Sequence, residues 1–208
     1  MDYKMPNSIH SVTLAITGAS GAPYALTLLK QLLTHEIIIN LLISDAAREV
    51  FRIESGIELP QTKEAIEQYF QHRIEPVKAT LRYYEKKDWL SPAASGSNAA
   101  DAMVICPCSM GTLSAISFGS SDNLIERAAD VTLKENKKLI IVPREMPLSQ
   151  IHLENMLRLK KMGVTIMPAS PGFYQQPQSV QDLVNFVVAR ILDQLHISQK
   201  LVPKWGES

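Results

Sequence analysis

A short stretch rich in glycine and serine near the start of the chain could bind a phosphate group. Residues 18–21 (GASG) follow an apolar run at residues 12–17 and precede a stretch with helical spacing. Backbone N–H groups at the start of a helix attract anions, and the Ser20 hydroxyl would add a donor. The stretch is not G-x-G-x-x-G and Asp45 is weakly placed to bind a ribose, which disfavours a nicotinamide cofactor. A plain turn between a strand and a helix is the alternative interpretation.

Three cationic side chains could bind the same kind of group. Arg127 and Lys134 are seven residues apart in a predicted helix, so they lie within about 20° of one face. A solvated face with acidic neighbours is the alternative for this pair. Arg190 follows Phe186 and Val187 on an apolar helical stripe, where an arginine needs an anionic partner. That partner is either a buried carboxylate or a bound phosphate.

Arg144 and Glu145 place a cation and a carboxylate side by side after Pro143. Either both pair with neighbours, or one binds a phosphate while the other moves a proton. Other chemistries have little support. Cys106 and Cys108 do not form a C-x-x-C motif and are predicted to be small buried residues, the five histidines have no metal-ligand spacing, and no G-x-S-x-G or Walker loop is present.

The elements that must position these residues alternate between strands and helices. Apolar runs predict strands at residues 12–17, 37–43, 102–106, 139–142 and 164–167, with helical patterns between them. The pattern predicts a doubly wound α/β fold, a flavodoxin- or Rossmann-like three-layer sandwich with a mostly parallel sheet. Pro107, Pro143 and Pro168 each end a predicted strand. The loops that follow the strands would meet at the carboxyl edge of the sheet, where ligands bind in such folds.

Residues 51–98 interrupt this alternation. Residues 60–73 are predicted to form an amphipathic helix, and Tyr83, Tyr84 and Trp89 cluster after it. A long excursion with exposed aromatic residues favours a binding flap or a subunit interface over a loop that fills the core. The segment from Pro203 to Trp205 is predicted to be a second surface buried between subunits.

The composition is that of one globular domain spanning residues 1–208. Lysine plus arginine and aspartate plus glutamate both number 21, so the charge balance favours neither nucleic acid nor an anionic membrane as a partner. The longest apolar run is far too short to span a bilayer, and no signal peptide is evident. With two cysteines, the cytoplasm is the simplest compartment.

Several ordered motifs together resemble the UbiX family of flavin prenyltransferases. The resemblance covers about residues 13–205 and rests on residues 16–22 (ITGASGA), 94–97 (ASGS), 106–112 (CPCSMGT), 121–130 (SDNLIERAAD), 142–145 (VPRE), 151–156 (IHLENM) and 171–174 (PGFY).

The resemblance implies a metal-independent transfer of a dimethylallyl group from dimethylallyl monophosphate to reduced FMN. Bonds would form at N5 and C6 of the flavin, and the prenylated FMN would serve a separate UbiD-type decarboxylase, as in ubiquinone biosynthesis. It also implies a flavodoxin-like fold and a homo-oligomer, a dodecamer built from trimers, with active sites at subunit interfaces.

The resemblance also implies roles for individual residues. Tyr174, Arg190 and Lys134 would bind the prenyl phosphate. The resemblance therefore favours a bound phosphate over a buried carboxylate as the partner of Arg190. Glu145 would move protons, Arg127 is similarly placed, and Trp89 would cover the prenyl chain. The residues expected at the flavin are Gly18, Ala19, Ser20, Ser44, Ser109, Met110, Gly111, Thr112 and Arg144.

Two other functions remain open at this point. One is an FMN-dependent decarboxylase of the same superfamily, acting on a cysteine-type substrate. Those proteins carry a Pro-Ala-Ser-Ala-Asn motif, from which residues 168–172 (PASPG) depart at the end. The other is a non-catalytic FMN carrier, in which the set of Lys134, Glu145, Tyr174 and Arg190 would have no purpose.

Overall fold

A computed structural model of the chain describes residues 9–203, in which strands and helices alternate. The strands are β1 (Ser11–Ile16), β2 (Ile38–Ile43), β3 (Thr80–Tyr84), β4 (Ala102–Cys108), β5 (Lys138–Pro143) and β6 (Thr165–Ile166). The helices are α1 (Ala22–Leu33), α2 (Asp45–Ser55), α3 (Lys63–Gln71), α4 (Met110–Ser117), α5 (Leu124–Lys134), α6 (Gln150–Lys161) and α7 (Val180–Gln194), with short 3-10 turns at Pro92–Ala94 and Gly96–Asn98.

All six strands pair in parallel, in the order β3-β2-β1-β4-β5-β6. The predicted α/β fold with a doubly wound sheet is therefore confirmed. The strand order reverses between β1 and β4, which creates the crevice where ligands bind in open parallel sheets. The loops after β1 and β4 are the two richest in glycine and serine.

Two hydrophobic cores lie on opposite faces of the sheet. Because successive strand side chains point to opposite faces, Val104 and Ile140 enter the first core, while Ile105 and Ile141 enter the second. Helices α1, α2, α3 and α7 cover the first core, and α4, α5 and α6 cover the second. This division decides which predicted site residues can meet.

Residues 51–98 contain β3, a strand that the sequence analysis did not predict. Tyr83 and Tyr84 lie in β3 and are only 3% and 8% exposed, so the prediction that they form an exposed surface is wrong. They fill the core because β3 extends the sheet beyond β2. Trp89 follows on the loop and is 46% exposed.

Pro107 lies within a strand rather than ending one, contrary to the prediction. β4 continues to Cys108, and its pairing with β5 shifts register between Ile105 and Cys108. A proline is tolerated in a central strand at such an irregularity. Pro143 is the last residue of β5, and Pro168 follows the end of β6, as expected. Pro23 lies in the first turn of α1.

The two edge strands, β3 and β6, present few free backbone groups with which a further strand could pair. On β3, the backbone N–H of Tyr83 donates to the Glu67 carboxylate at 2.7 Å, and Arg48 donates to the Tyr83 hydroxyl at 3.2 Å. At the other edge, β6 is only two residues long. A capped edge and a very short one both discourage further strand pairing.

Within residues 9–203, no helix combines the length and apolar character needed to cross a bilayer. Lys204 and Trp205, part of the predicted C-terminal interface, lie outside the described residues.

We expect Asp101 to stabilise the start of the sheet. Its carboxylate accepts hydrogen bonds from the backbone N–H groups of His10 and Ser11 at 2.9 and 3.0 Å and from the Ser11 hydroxyl at 3.1 Å. Burial alone would raise the pKa of Asp101, but these hydrogen bonds outweigh it and hold the pKa below its ordinary value. Asp101→Asn should lower the free energy of unfolding by about 1 kcal/mol at neutral pH.

The pH dependence of that difference follows from the lowered pKa. The stabilisation is present above the unfolded-state pKa of about 4 and is lost as pH falls through the lower folded-state value. Urea denaturation of both proteins at pH 7 and pH 3 should show the difference shrinking in acid. A constant difference would mean that the carboxylate charge does not contribute.

Candidate functional site

The loop at residues 18–21 holds a carboxylate at the start of α1. Glu54 of α2 accepts hydrogen bonds from the backbone N–H groups of Gly21 and Ala22, both at 2.9 Å. Burial by itself would raise the pKa of Glu54, but hydrogen bonds from Ser20, Gly21 and Ala22 outweigh it and lower the pKa. The first amides of α1, which the sequence predicted to bind a phosphate, are thus bound to Glu54. A ligand at this loop meets Ser20 beside a charged carboxylate.

Arg144 connects this loop to the end of β5. Its Nε donates to the backbone oxygen of Ser20 at 3.0 Å, across 124 residues of sequence. It also lies close enough to Glu54 to help lower the pKa of that carboxylate. Glu145 is exposed, and its carboxylate accepts from the backbone N–H of Met146 at 3.1 Å. The structure therefore places Arg144 against the loop at residues 18–21, and Glu145 follows it in the chain.

The other predicted flavin residues lie at the same carboxyl edge. The hydroxyl of Thr17, at the end of β1, donates to Pro107 O at 2.9 Å and accepts from the Ser109 N–H at 2.7 Å. Ser109 begins α4, where its hydroxyl accepts from Thr112 N–H at 3.3 Å. Ser44 begins α2 in the same way. The side chains of Ser44 and Ser109 thus accept hydrogen bonds at the N-terminal ends of α2 and α4, which lie at this edge.

The surface between these loops has room for a flat ligand. A Cβ added to Gly111 would meet no atom within 4 Å, so the α4 backbone is open there. A cavity of about 430 Å³ adjoins the loop after β5, and it is lined by Pro143, Arg144, Glu145, Met146, Pro147, Leu148, Met156, Pro168, Ala169 and Ser170. Gly18 has the opposite role, because a Cβ there would collide with the Cβ of Ala46.

Cys106 and Cys108 are buried in the two hydrophobic cores, one in each. Both thiols are free and fully buried, which raises their pKa, that of Cys106 to about 12. The prediction that they are small buried residues is confirmed. In the described part of the chain, no group of three or more His, Cys, Asp or Glu side chains could hold a metal ion.

Arg127 and Lys134 share one face of α5, as their spacing predicted. Arg127 Nε donates to Ala94 O at 3.2 Å and its guanidinium pairs with Asp130 at 2.8 Å. Lys134, the last residue of α5, forms an ion pair with Glu135, and both side chains lie against Gly96. A Cβ on Gly96 would come within 2.6 Å of Lys134 Nζ. The turn at residues 94–97 and these two cations therefore form one polar surface.

Tyr174 and Arg190 lie on the opposite side of the molecule. The Tyr174 ring packs edge-on against Phe186 of α7, with centroids 5.5 Å apart, and Arg190 follows one turn later. Arg190 is not on a buried stripe: its side chain is 55% exposed and pairs with Asp193 at 2.7 Å. The sequence interpretation was wrong because Val187 lies beside Arg190 on the buried flank of the helix while Arg190 itself faces out.

One chain cannot bring Lys134 together with Tyr174 and Arg190. Helix α5 covers the second core and α7 covers the first, so the six-stranded sheet separates them. Lys134 also precedes β5 while Glu145 follows it, and a six-residue strand spans about 20 Å. The residues predicted to bind the flavin therefore lie at one sheet edge of a single chain, whereas those predicted to bind the phosphate lie on two separate surfaces.

Comparison with known proteins decides the family. The Flavoprotein family matches residues 2–192. The flavin prenyltransferase UbiX of Pseudomonas aeruginosa is 54% identical over 196 residues, covering 94% of each chain. The chain belongs to the UbiX family of flavin prenyltransferases.

Solved structures of UbiX-type proteins have the same fold. AnUbiX, in complex with FMN and dimethylallyl pyrophosphate, superposes with a TM-score of 0.84 and 33% identity, covering 95% of this chain and 98% of its own. A dodecameric FMN-dependent UbiX-like decarboxylase from Escherichia coli O157:H7 has a TM-score of 0.80 and 38% identity, covering 91% and 96%.

Two residues of this UbiX-family site were missed by the sequence interpretation. Glu54 has no local signal, because its hydrogen-bond partners lie 32 and 33 residues earlier in the chain. Gly96 was noted only as part of a motif, and its importance appears only when Lys134 is seen to lie against it.

We expect Glu54→Gln to weaken the hydrogen bonds that hold the loop at residues 18–21 of this UbiX-family protein. The amide keeps the size of the side chain but removes the negative charge that complements the start of α1. The free energy of unfolding should fall by about 1 kcal/mol, and the affinity for FMN should fall by about tenfold. Denaturation and FMN titration measure the two effects.

Glu49→Gln is the matched control, because Glu49 lies on the same helix but pairs only with exposed Arg52. Its stability and its FMN affinity should stay close to those of the unmodified protein. Equal behaviour of the two variants would show that Glu54 has no special role at the loop.

Proposed function

We propose that the chain transfers a dimethylallyl group from dimethylallyl monophosphate to reduced FMN. The supporting observation is that loops from four strands meet at one carboxyl edge, joined by the hydrogen bond from Arg144 to Ser20. The relatives support the same activity. One is a UbiX flavin prenyltransferase, and the structure of AnUbiX contains FMN and dimethylallyl pyrophosphate.

The residues at this edge fit FMN. The open backbone at Gly111 gives a flat surface, and Ser20 and Arg144 offer polar contacts at its rim. We assign flavin contacts to Gly18, Ala19, Ser20, Ser44, Ser109, Met110, Gly111, Thr112 and Arg144. When bound, reduced FMN supplies the nucleophilic N5 and C6 positions that the dimethylallyl group joins.

The prenyl phosphate would bind between two copies of the chain. Lys134 and Arg127 of one copy would face Tyr174 and Arg190 of the next, because the sheet keeps them apart within one copy. Such a contact joins two different surfaces, so it repeats from chain to chain and gives a ring when the rotation between neighbours closes. We propose a ring of three, in keeping with the dodecamer reported for the E. coli relative.

These residues suit the departure of a phosphate. Breaking the allylic C–O bond leaves the electron pair on the phosphate oxygen, where the ammonium of Lys134 and the guanidinium of Arg190 stabilise the added charge. The allylic carbon becomes electron-poor, and the half-exposed indole of Trp89 can stabilise it through its π face. Replacing hydrogen by carbon at N5 and at C6 would release two protons, and the remaining double bond of the prenyl group would take up one proton as the ring closes. The exposed Glu145 carboxylate can accept and return a proton there.

A decarboxylase that acts by itself is the second candidate, because the E. coli relative is named a UbiX-like decarboxylase. The PASPG sequence at residues 168–172 argues against a cysteine-type substrate. We propose instead that the prenylated FMN passes to a separate UbiD-type decarboxylase in the cytoplasm.

Mass spectrometry of the flavin distinguishes these functions. The protein is incubated anaerobically with reduced FMN and dimethylallyl monophosphate, and the flavin is then released. A gain in mass of one isoprene unit supports prenyl transfer. Unmodified FMN with no inorganic phosphate released would contradict it, and loss of carbon dioxide from an aromatic acid without a second enzyme would favour the decarboxylase.

A further inference from the structure

A cavity of about 520 Å³ lies at the amino edge of the sheet, opposite the candidate active site. Its lining includes Asp101, Asn136, Lys137, Lys138 and His196, and we call it the amino-edge cavity. Asp101 precedes β4 and Lys138 begins β5, so the length of a strand, about 20 Å, separates this cavity from the loops at the carboxyl edge. Small-molecule sites in proteins have volumes of about 300–1,000 Å³, so the cavity is large enough for a ligand.

Two ammonium groups of the amino-edge cavity have no acidic partner. Lys137 and Lys138 are half-buried, and no carboxylate of residues 9–203 forms an ion pair with either of them. Lys137 donates to Ala99 O instead. Lys138 donates to Gln194 O at 2.5 Å and to His196 Nε2 at 3.4 Å. Because an ammonium has three N–H donors, each lysine keeps at least one for an anion that would neutralise its charge.

The only acidic residue of the lining does not cancel this charge. The cavity sets the two ammonium groups against one carboxylate, that of Asp101. Its Oδ2 atom accepts hydrogen bonds from the backbone N–H groups of His10 and Ser11 and from the Ser11 hydroxyl, so it serves the start of the sheet. Oδ1 accepts none of these bonds and remains an acceptor for a hydroxyl group of a ligand.

Two helices end at the amino-edge cavity in an unusual way. Asn136 follows α5 and His196 follows α7, and both backbones are left-handed, with φ of 54° and 55°. Glycine is least strained in this conformation, and glycine takes it after α2 and α6, at Gly56 and Gly163. A side chain retained at such a position costs stability, and strain of this kind is concentrated at ligand sites. The two helices that keep a side chain are the two that end at this cavity.

The helix ends do not leave free carbonyl groups to repel an anion. The C-terminal carbonyls of a helix carry partial negative charge. After α5, the Lys137 N–H donates to Thr132 O at 2.9 Å. After α7, the His196 N–H donates to Asp193 O at 3.1 Å, and the Lys138 ammonium binds Gln194 O as described above. These bonds offset the negative ends of both helices.

We propose that the amino-edge cavity binds a small phosphate ester, with its phosphate on Lys137 and Lys138 and a hydroxyl group of its organic part on Asp101 or Asn136. A phosphate has three strong acceptor oxygens and suits donors that come from two different side chains. The volume leaves room for the organic part. This site is separate from the proposed prenyl phosphate site, because Lys134, Tyr174 and Arg190 do not line the cavity.

Equilibrium dialysis with radiolabelled glucose 6-phosphate tests the site in the FMN-loaded protein. One molecule should bind per chain, and Lys134→Ala should bind it equally well, since that change affects only the prenyl phosphate site. Lys137→Met combined with Lys138→Met should weaken binding at least tenfold. Lys160→Met with Lys161→Met is the matched control, because it removes the same charge from adjacent exposed lysines on α6. An equal effect of the two pairs would overturn the proposal.

His196→Gly separates a ligand site from a structural role. Glycine relieves the left-handed backbone, so the variant should unfold at the same temperature or higher, yet it should bind glucose 6-phosphate several-fold more weakly. Lower thermal stability with unchanged affinity would show that His196 serves the fold and would overturn the argument from the helix ends.

The choice of probe identifies the source of the phosphate. Inorganic phosphate should bind at least tenfold more weakly than glucose 6-phosphate, whereas equal affinity would assign the site to free phosphate. Glucose should not bind. Acetylation of the unmodified protein gives a test that needs no variant: glucose 6-phosphate should slow labelling at Lys137 and Lys138, but not at Lys160 and Lys161, as read by mass spectrometry. Labelling that neither phosphate compound slows would overturn the proposal.

Discussion

Replacing Arg190 by alanine is expected to lower turnover with dimethylallyl monophosphate by about 30- to 1000-fold, which corresponds to about 2–4 kcal/mol of lost transition-state stabilisation. The affinity for FMN should stay nearly unchanged, because Arg190 lies on α7 and pairs there with Asp193 and not with the loops predicted to bind the flavin. Arg190 is exposed and pairs only with Asp193 among the contacts described, so its loss should leave the fold intact. Arg190→Lys should recover only part of the activity, since an ammonium lacks the planar fork.

The same site gives a second readout that a structural role would not produce. Lys134→Ala chains should also be nearly inactive, yet co-expression of Lys134→Ala with Arg190→Ala should restore activity. In mixed rings, some sites receive Lys134 from one chain and Arg190 from another, and these sites are complete. If the mixture stays as inactive as either variant alone, the two residues belong to the same chain's site or to no shared site. Unfolding or loss of FMN binding by Arg190→Ala would make Arg190 a structural residue.

The second large effect is expected at Gly96. In Gly96→Val the added side chain would occupy the space of the Lys134 ammonium and of Glu135, which lie against the glycine. Displacing the ammonium should lower kcat/KM for dimethylallyl monophosphate by about 100-fold, near the cost of losing one charged donor. FMN affinity should be unaffected, because the side chains that lie against Gly96 are those of Lys134 and Glu135 and not residues of the loops after β1, β4 and β5. Steady-state kinetics and FMN titration measure both quantities.

Two controls show whether the effect acts through Lys134. Asn98→Val changes an exposed residue at the end of the same 3-10 turn and should leave kcat/KM unchanged. Adding Gly96→Val to Lys134→Ala should cost little further activity, because the ammonium is already gone. Additive losses in that double variant would show that Gly96 acts independently of Lys134.

Most of the strands that the sequence predicted are covered on both faces; β6, at the edge of the sheet, is the exception. Residues 37–43 form a nearly continuous apolar run, and β2 is buried accordingly. The edge strand β3 was missed because Thr80 and Arg82 face water, which leaves too few apolar residues for a continuous run. Helix α2 was missed because only Ala47 and Phe51 are buried, and its other side chains are mostly charged.

The sequence predicts the part of the candidate site whose residues directly follow strands. It does not predict the part that depends on which face of the sheet each helix covers. Ser20, Ser109 and Arg144 follow three strands that must be parallel, so their meeting could be inferred. The separation of Lys134 from Arg190 could not, because it depends on which face of the sheet each helix covers. The role of Glu54 also depends on hydrogen bonds between α2 and the start of α1, which no spacing in the sequence indicates.

The capped and shortened sheet edges limit how copies of this protein can associate. With the Tyr83 amide bound to Glu67 and β6 only two residues long, neither edge can serve as a template for continuing the ladder into a neighbour. Copies held close together at high local concentration therefore have no route into an open-ended fibre through their backbones. Growth is left to contacts between helices and loops, whose side chains fix the angle between neighbouring copies, and the assembly is finite where that angle closes a ring.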